Sequence, residues 1–512
     1  MRSKKAFKNT IYGLIYEAAV MICGLVVPRL VLTSFGSEYN GVTGVITQFL
    51  RVIALFQAGI GGVTMAALYK PLNSNDKEQI SIIVKTTESY LRKVAFMFIG
   101  VSIIIACVLP FFVSEFDYIF TASLVLIMSL STFAQYFFGQ TYQFLLSADQ
   151  RQRFMHVVNT VKVLANTAMS ALLIRLGFSI HIVMLGSAVV FAIAPIFVYV
   201  YTNKKYTILK KVKPDNNVLN QRWDNFGTQV SNFITINTSL IVLSVFSTMP
   251  VVSVYTTYYL VTAGIFGLFS PFVSGIAAAF GNMLAKNEQD LLQKNIRLYE
   301  QVVFSLSTFL LGVAAAMIIF FVDLYTRNVA DANIYYQPLF AYLLIAATLF
   351  RTYRYPYMGI TQAAGHFKQN RNLSYVEAGI NIVASVTLAI ILEGHYKLVG
   401  VAISTLFAYA FRTIRYAMYM SKHIIPRSYM LFVKRIGLSI IMTAAIAVLP
   451  NILHFTRPSS WMAWVQLSVI ISIIAFALTA IVEVVFYKND LRALTKMAMN
   501  AIKKRKPLLE QR

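Results

Sequence analysis

Charge is scarce in this chain. Charged residues make up 13% of its 512 positions, against about 25% in an ordinary soluble protein. With 58% hydrophobic residues and a mean hydropathy of +0.65, a soluble globular fold is excluded. Cysteine is scarcer still: Cys23 and Cys107 both fall inside apolar runs, which leaves neither a disulfide framework nor a paired-thiol metal site. The six histidines stand singly, and His366 and His395 read as loop or headgroup-level residues, so no metal site is expected. A phosphate-binding loop ending in Gly-Lys-Ser or Gly-Lys-Thr, a His-Glu-x-x-His helix and a nucleophile elbow are all missing. The apolar stretches also lack the strict alternation over about ten residues that an outer-membrane barrel requires.

What the chain does have is apolar runs of roughly twenty residues, the length that carries a helix across about 30 Å of hydrocarbon. The expected fold is an all-α polytopic membrane protein of about fourteen spans. They fall near 10–35, 41–69, 92–113, 118–146, 155–176, 180–201, 226–248, 252–284, 298–322, 334–362, 373–393, 398–420, 431–454 and 460–487. The first run continues to about Phe35 with no small-residue cleavage site, so an uncleaved span is expected.

The formal net charge of +25 acquires meaning from its placement. Connections after odd-numbered spans are short and poor in Lys and Arg. Those after even-numbered spans are basic: Lys70, Lys77, Lys85, Arg92 and Lys93 after the second, Lys204, Lys205, Lys210, Lys211, Lys213 and Arg222 after the sixth. By the positive-inside rule both termini and the segments 70–93 and 202–223 are cytoplasmic. The basic runs are then a topology signal and an attraction to anionic membrane lipids, with no nucleic acid implied.

An internal repeat is legible. The run from Ser147 through Arg153 recurs as Ala363 through Gln369, and Ala58-Gly59-Ile60 recurs as Ala263-Gly264-Ile265. The unit is six spans, an even number, so its copies keep one orientation in the membrane. The division expected is a lobe at 1–213, a second at 214–425, two further spans at 426–487 and a basic cytoplasmic tail at 488–512.

Cations inside the spans each cost roughly 2.5–3.5 kcal/mol at a helix centre unless they snorkel or face a cavity. Arg412 and Arg415 are near enough to Lys422 to reach headgroups, and the long stem of Lys162 leaves it between snorkelling and a cavity. Arg29 and Arg51 lie far from the cytoplasmic leaflet. Arg351 and Arg354 share a helical face, with Pro356 just beyond to bend the span. A polar, anion-binding cavity wall is therefore expected at Arg29, Arg51, Arg351, Arg354 and Lys162, the guanidinium fork being suited to phosphate. The competing reading pairs these cations with Glu17, Glu300 or Glu377, which with Glu483 are the embedded acids. Gly59, Gly61 and Gly62 read as a close-packing face. Tyr336 reads as an interface anchor, while Tyr342, Tyr353, Tyr355 and Tyr357 are candidates for stacking on sugar rings.

Lys8-Asn9, Gly13-Leu14, Pro28-Arg29, the run Phe35 through Gly41, Ala58-Gly59-Ile60-Gly61 and the run Leu68 through Leu72 together resemble bacterial polysaccharide-biosynthesis membrane proteins of the O-antigen flippase type. Arg354-Tyr355-Pro356-Tyr357, the run Ala364 through Gln369 and the run Glu377 through Asn381 agree with that family's later spans. The resemblance implies membership of the multidrug/oligosaccharidyl-lipid/polysaccharide exporter (MOP) superfamily. It also implies two six-helix lobes in a V around a central cavity, often with two extra helices. The implied activity is not enzymatic. It is the turning of an undecaprenyl-pyrophosphate-linked oligosaccharide from the cytoplasmic to the outer leaflet of the bacterial plasma (inner) membrane. A polysaccharide polymerase and chain-length proteins are the implied partners, and an H+ or Na+ gradient stands in place of a cofactor. Gln57 departs from the acid that members often carry there, which bears on ion coupling. Two rival functions remain: an organic-cation exporter of the same superfamily, which needs embedded acids, and a polymerase or acyltransferase, which needs a long outer loop or a placed histidine.

Overall fold

A computed structural model describes residues 2–51, 55, 60–149, 151–209, 212–215, 226–285, 288–364 and 366–505. Among the described residues every regular element is helical. Eleven helices are long and apolar enough to cross a membrane, which makes this a multi-pass membrane protein. The other three expected spans are helical but shorter. The second is carried by α2 (Ser37–Leu50) and α3 (Ile60–Ser74), which follow α1 (Arg2–Phe35). The seventh is α9 (Phe226–Phe246). The tenth is split into α12 (Pro338–Tyr353) and α13 (Tyr355–Ala363). Pro356 lies in the first turn of α13, where its missing N–H has no intrahelical partner to lose.

One boundary is corrected by a full four turns. The segment 70–93, expected as a basic loop, is largely helix: α4 (Lys77–Val108) starts immediately after Asn75, which is left-handed at φ 52°. Asp76 caps α4, its carboxylate accepting the Gln79 N–H at 3.0 Å, the usual way to satisfy an orphan donor at a helix start. The consequence is a buried acid, Glu88, on what looked like a solvated connection.

The remaining first-half helices are α5 (Tyr118–Ala134), a π turn at Gln135–Gly139, α6 (Gln140–Ala148), α7 (Gln152–Arg175) and α8 (Ile180–Lys205). The second half continues with α10 (Met249–Ala285), α11 (Gln289–Thr326), α14 (Phe367–Ile391), α15 (Tyr396–His423), α16 (Met430–Ile452), α17 (Trp461–Phe486) and α18 (Lys488–Arg505).

The chain forms two compact units, residues 1–256 with 328–331, and 257–327 with 332–512. In the first, α1 packs on α7, α5 on α8, and α3 and α4 against α6. Residues 226–256 fall in this compact unit, where α2 meets them. Asn40 Nδ2 donates to Ser253 Oγ at 2.7 Å, and Glu115 Oε1 accepts the Met249 N–H at 2.7 Å. In the second unit α11 packs on α12, α16 and α17, and α15 covers α12 and α14. Spans thirteen and fourteen, α16 and α17, are thus built onto α11.

Two glycines explain close approaches. A Cβ at Gly41 would stand 2.1 Å from the Met249 carbonyl oxygen, and one at Gly61 would stand 2.8 Å from the Phe144 ring. The packing role expected of Gly61 is therefore seen, whereas Gly62 faces open space and Gly59 lies outside the described residues. Gly41→Ala should push α2 off α10 and cost a few kcal/mol by overpacking. The expected result is a lower melting temperature of the purified protein, while Gly62→Ala melts within a degree or two of wild type.

Candidate functional site

The first unit contains a cavity of about 460 Å³ bounded by the end of α2, the middle of α5, the π turn and α8. Thr47, Arg51, Ser131, Tyr136, Ser187 and Phe191 are among the residues that line it. A π turn widens a helix by one residue and recurs at functional sites; here it sets Tyr136 into the wall. Arg51 stands where α2 ends, its side chain exposed. Lys162, on α7, lies with Nζ 5.2 Å from the centroid of Phe191. Among the described residues, no carboxylate is within ion-pair distance of either Arg51 or Lys162. Of the five expected cavity cations, Arg51 lines this cavity and Lys162 lies against Phe191, one of its walls. Arg29 is half-buried on α1, next to the in-helix Pro28, and Glu17 is exposed on the same helix.

In the second unit the expected pair Arg351 and Arg354 share the Tyr409 ring, at 5.7 and 5.3 Å, but otherwise take different partners. Arg351 lies 3.6 Å above the Phe266 ring centroid and 5.7 Å from that of Tyr409, and it donates to the Tyr259 hydroxyl. Tyr355 stacks on Phe266 at 5.4 Å. The cluster joins a cation to aromatic faces, and none of the described carboxylates reaches Arg351. Arg354 is buried, and Glu377 takes up its charge. Nη1 donates to Oε2 at 3.2 Å, and Nη2 is 2.7 Å from Oε1, an ion-pair contact off the hydrogen-bond direction.

Arg412 completes this triad by donating from Nη1 to the same oxygen, Glu377 Oε2. The snorkelling expected of Arg412 is corrected, since its side chain is buried with a carboxylate at hand; Arg415 is exposed. Glu300, which the competing reading offered to Arg29, Arg51 or Arg354, instead pairs with Arg427 and with Arg435, at 3.0 Å in the latter case. Arg435 continues to Asp490 at 3.2 Å, which Arg297 also reaches at 2.9 Å. Glu483 accepts from Ser305 and Gln301.

Sequence reasoning missed Glu88, Arg427, Arg435 and Asp490. Glu88 takes Arg92 at 2.7 Å, Lys85 at 2.9 Å and the Tyr142 hydroxyl at 3.3 Å. The signal for it was the i−3 and i+4 spacing of its two cations, which only makes a cage if the segment is helical. Arg435 was visible as a cation more than a turn inside an apolar run. Two tyrosines considered for sugar stacking are core residues: Tyr353 is stacked on Phe304 at 4.2 Å, and Tyr357 packs edge-on against Phe432. Tyr336 and Tyr342 are exposed, and Gln57 lies outside the described residues.

The class defined by these observations is an all-helical, multi-pass membrane protein of two compact units. No protein-family model matches the sequence, and neither does any curated protein. Solved structures do match. The lipid II flippase MurJ in an inward closed conformation superposes with a TM-score of 0.69 at 16% identity, over 94% of this chain and 99% of its own. An inward-facing multidrug resistance MATE transporter of the MOP superfamily gives 0.61 at 13%, over 79% and 94%. A MOP-superfamily transporter from Pyrococcus furiosus, described as having a binding pocket of reverse polarity, gives 0.55 at 13%, over 83% and 97%. The fold of this chain is that of the MOP-superfamily transporters.

Proposed function

We propose that this chain is a flippase that moves an undecaprenyl-pyrophosphate-linked oligosaccharide from the cytoplasmic to the outer leaflet of the bacterial plasma membrane. The observation that carries this is a charge asymmetry. Each of the buried acids Glu88, Glu300, Glu377 and Asp490 is matched by built-in cations, while Arg51, Lys162 and Arg351 meet no described carboxylate. Embedded cations left without counter-ions suit an anionic substrate, and Arg offers a planar fork for its phosphates. Alternating access moves the headgroup without making or breaking a bond, while the polyprenyl tail stays in lipid. Fold likeness to multidrug transporters favours an organic-cation exporter as the second reading. The same charge asymmetry counts against it, because such a substrate needs free carboxylates: of the embedded acids Glu300 and Glu377 are ion-paired and Glu483 is held by Ser305 and Gln301, which leaves Glu17 without a described cation partner. An H+ or Na+ gradient as the energy source, and a polymerase with chain-length proteins as partners, belong to this proposal.

The test is reconstitution in liposomes with a fluorescent undecaprenyl-pyrophosphate glycan in one leaflet and a membrane-impermeant quencher outside. Transfer of the glycan lipid above protein-free liposomes is expected, and it should accelerate when an H+ or Na+ gradient is imposed. Transfer of organic cations with none of the glycan lipid would overturn the proposal in favour of the second reading.

Orientation is tested separately. Single cysteines at Ser114 and Thr207, both exposed, are placed in a Cys107→Ser background, since Cys107 is itself exposed. Ser114→Cys should react with an impermeant thiol reagent on intact cells, and Thr207→Cys only after the cells are opened. The reverse pattern would place both termini outside. Ser37 is a poor reporter because it is buried and donates to Asp331 at 2.6 Å.

A further inference from the structure

The helices that follow the two copies of the repeated run, α7 and α14, can be compared position by position from their first residues. Lys162 is the eleventh residue of α7, and Glu377 is the eleventh residue of α14. One turn on come Asn166 and Asn381, and a further turn on Ser170 and Ser385, so each helix carries the same polar ladder on one face with the charge at its head reversed.

In the second unit the ladder is closed from within. Glu377 is neutralised by Arg354 and Arg412. Asn381 Oδ1 accepts from Ser385 Oγ at 3.2 Å and from Thr405 Oγ1 at 3.5 Å. In the first unit it is open. Asn166 is 8% and Ser170 1% exposed, yet among the described residues Asn166 Oδ1 and Ser170 Oγ find no hydrogen-bond partner, and Lys162 lies against the Phe191 ring with no carboxylate at ion-pair distance. A buried polar atom left unpaired costs about 1–3 kcal/mol, so the unpaired atoms on the α7 face that carries Lys162 call for a partner. Phe191 connects the two, being both the neighbour of Lys162 and a wall of the cavity that Arg51 lines.

We propose that Lys162 and Asn166, with Arg51, form the subsite that reads the junction of phosphate and first sugar, resting on the reading that the substrate is a lipid-linked glycan pyrophosphate. The phosphate does for Lys162 what tethered arginines do for Glu377. Asn166 Oδ1 accepts a hydroxyl of the adjoining sugar. The two halves of the repeat have thereby divided their labour: the first-unit ladder takes the ligand, and the second-unit ladder is a permanent lock.

Binding to the full-length protein in phosphatidylcholine nanodiscs tests this, with a polyprenyl pyrophosphate, the same compound bearing one N-acetylglucosamine, and phosphatidylglycerol as competitor. Lys162→Met should weaken both pyrophosphates about tenfold, and Lys162→Arg should restore most of the loss. Lys162→Met should melt no lower than wild type, because it removes an uncompensated charge; a purely structural lysine would lower the melting temperature. Asn166→Ala should weaken the sugar-bearing probe alone, by about fivefold.

If Lys162→Met binds both probes as wild type does while Arg51→Ala loses them, the subsite falls and the flippase reading stands. If wild type binds neither probe, the flippase reading itself falls. Equal competition by phosphatidylglycerol would identify a site for ordinary lipid headgroups and overturn the proposal.

Discussion

Glu377→Ala will remove most of the folded protein from the membrane. It strips the shared counter-ion from Arg354 and Arg412, both buried, and leaves two desolvated guanidiniums facing each other. Breaking a buried pair from one side costs about 3–5 kcal/mol, and here two cations are stranded at once. The measurement is the amount and melting temperature of protein extracted from membranes. Removing the whole triad is expected to do far less harm: Arg354→Met, Glu377→Met and Arg412→Met together leave no unpaired charge, and apolar replacement of a buried ionic cluster is often neutral. Triple-variant protein that is as depleted as Glu377→Ala would show that the side chains serve more than mutual neutralisation. The same logic applies to Glu300, whose partner Arg435 ties α11 to α16 and whose partner Arg427 ties it to the connection just before α16.

Charge reversal at the cations that lack counter-ions should act in the opposite way, on transport rather than on folding. Arg51→Glu and Arg351→Glu are expected to bring glycan-lipid transfer to background, a loss of more than about a hundredfold, because a carboxylate repels the pyrophosphate that the guanidinium is proposed to hold. Arg51→Lys keeps the charge without the fork and should retain a measurable rate. Arg351→Lys should fall further than Arg51→Lys, since Arg351 also lies flat over Phe266 at 3.6 Å and an ammonium has no plane to stack. Complementation of a deletion strain reads the effect in cells, with protein level checked in parallel. Arg51→Glu and Arg351→Glu that both restore surface polysaccharide in full would remove the cationic site from the mechanism.

The two predictions separate classes of embedded charge that look alike in sequence. Arg351 and Arg354 are three residues apart in one span, and periodicity places them on one face. Both stand over Tyr409, yet Arg351 lies against Phe266 while Arg354, at the break in the helix, is paired with Glu377. Arg412, near a basic helix end, has the sequence context of a snorkelling residue but finds a buried carboxylate from a neighbouring helix. Pairings of this kind run between spans far apart in the chain, so no local pattern reveals them.

Composition alone determined that this protein is helical and spans the membrane many times, because hydrocarbon accepts no unpaired backbone and only long apolar helices satisfy it within one segment. A repeat was also read from the sequence alone, from the runs at Ser147 and Ala363, which keep their order relative to Ala58 and Ala263. Tertiary structure decided which charges are spent on each other and which stand open. Ion pairing depends on distances of a few ångströms between side chains on different helices, and spacing along one chain does not contain that information. It also decided that Glu88 is buried, because a polar connection and the first turns of a capped helix share a composition and differ only in what packs over them.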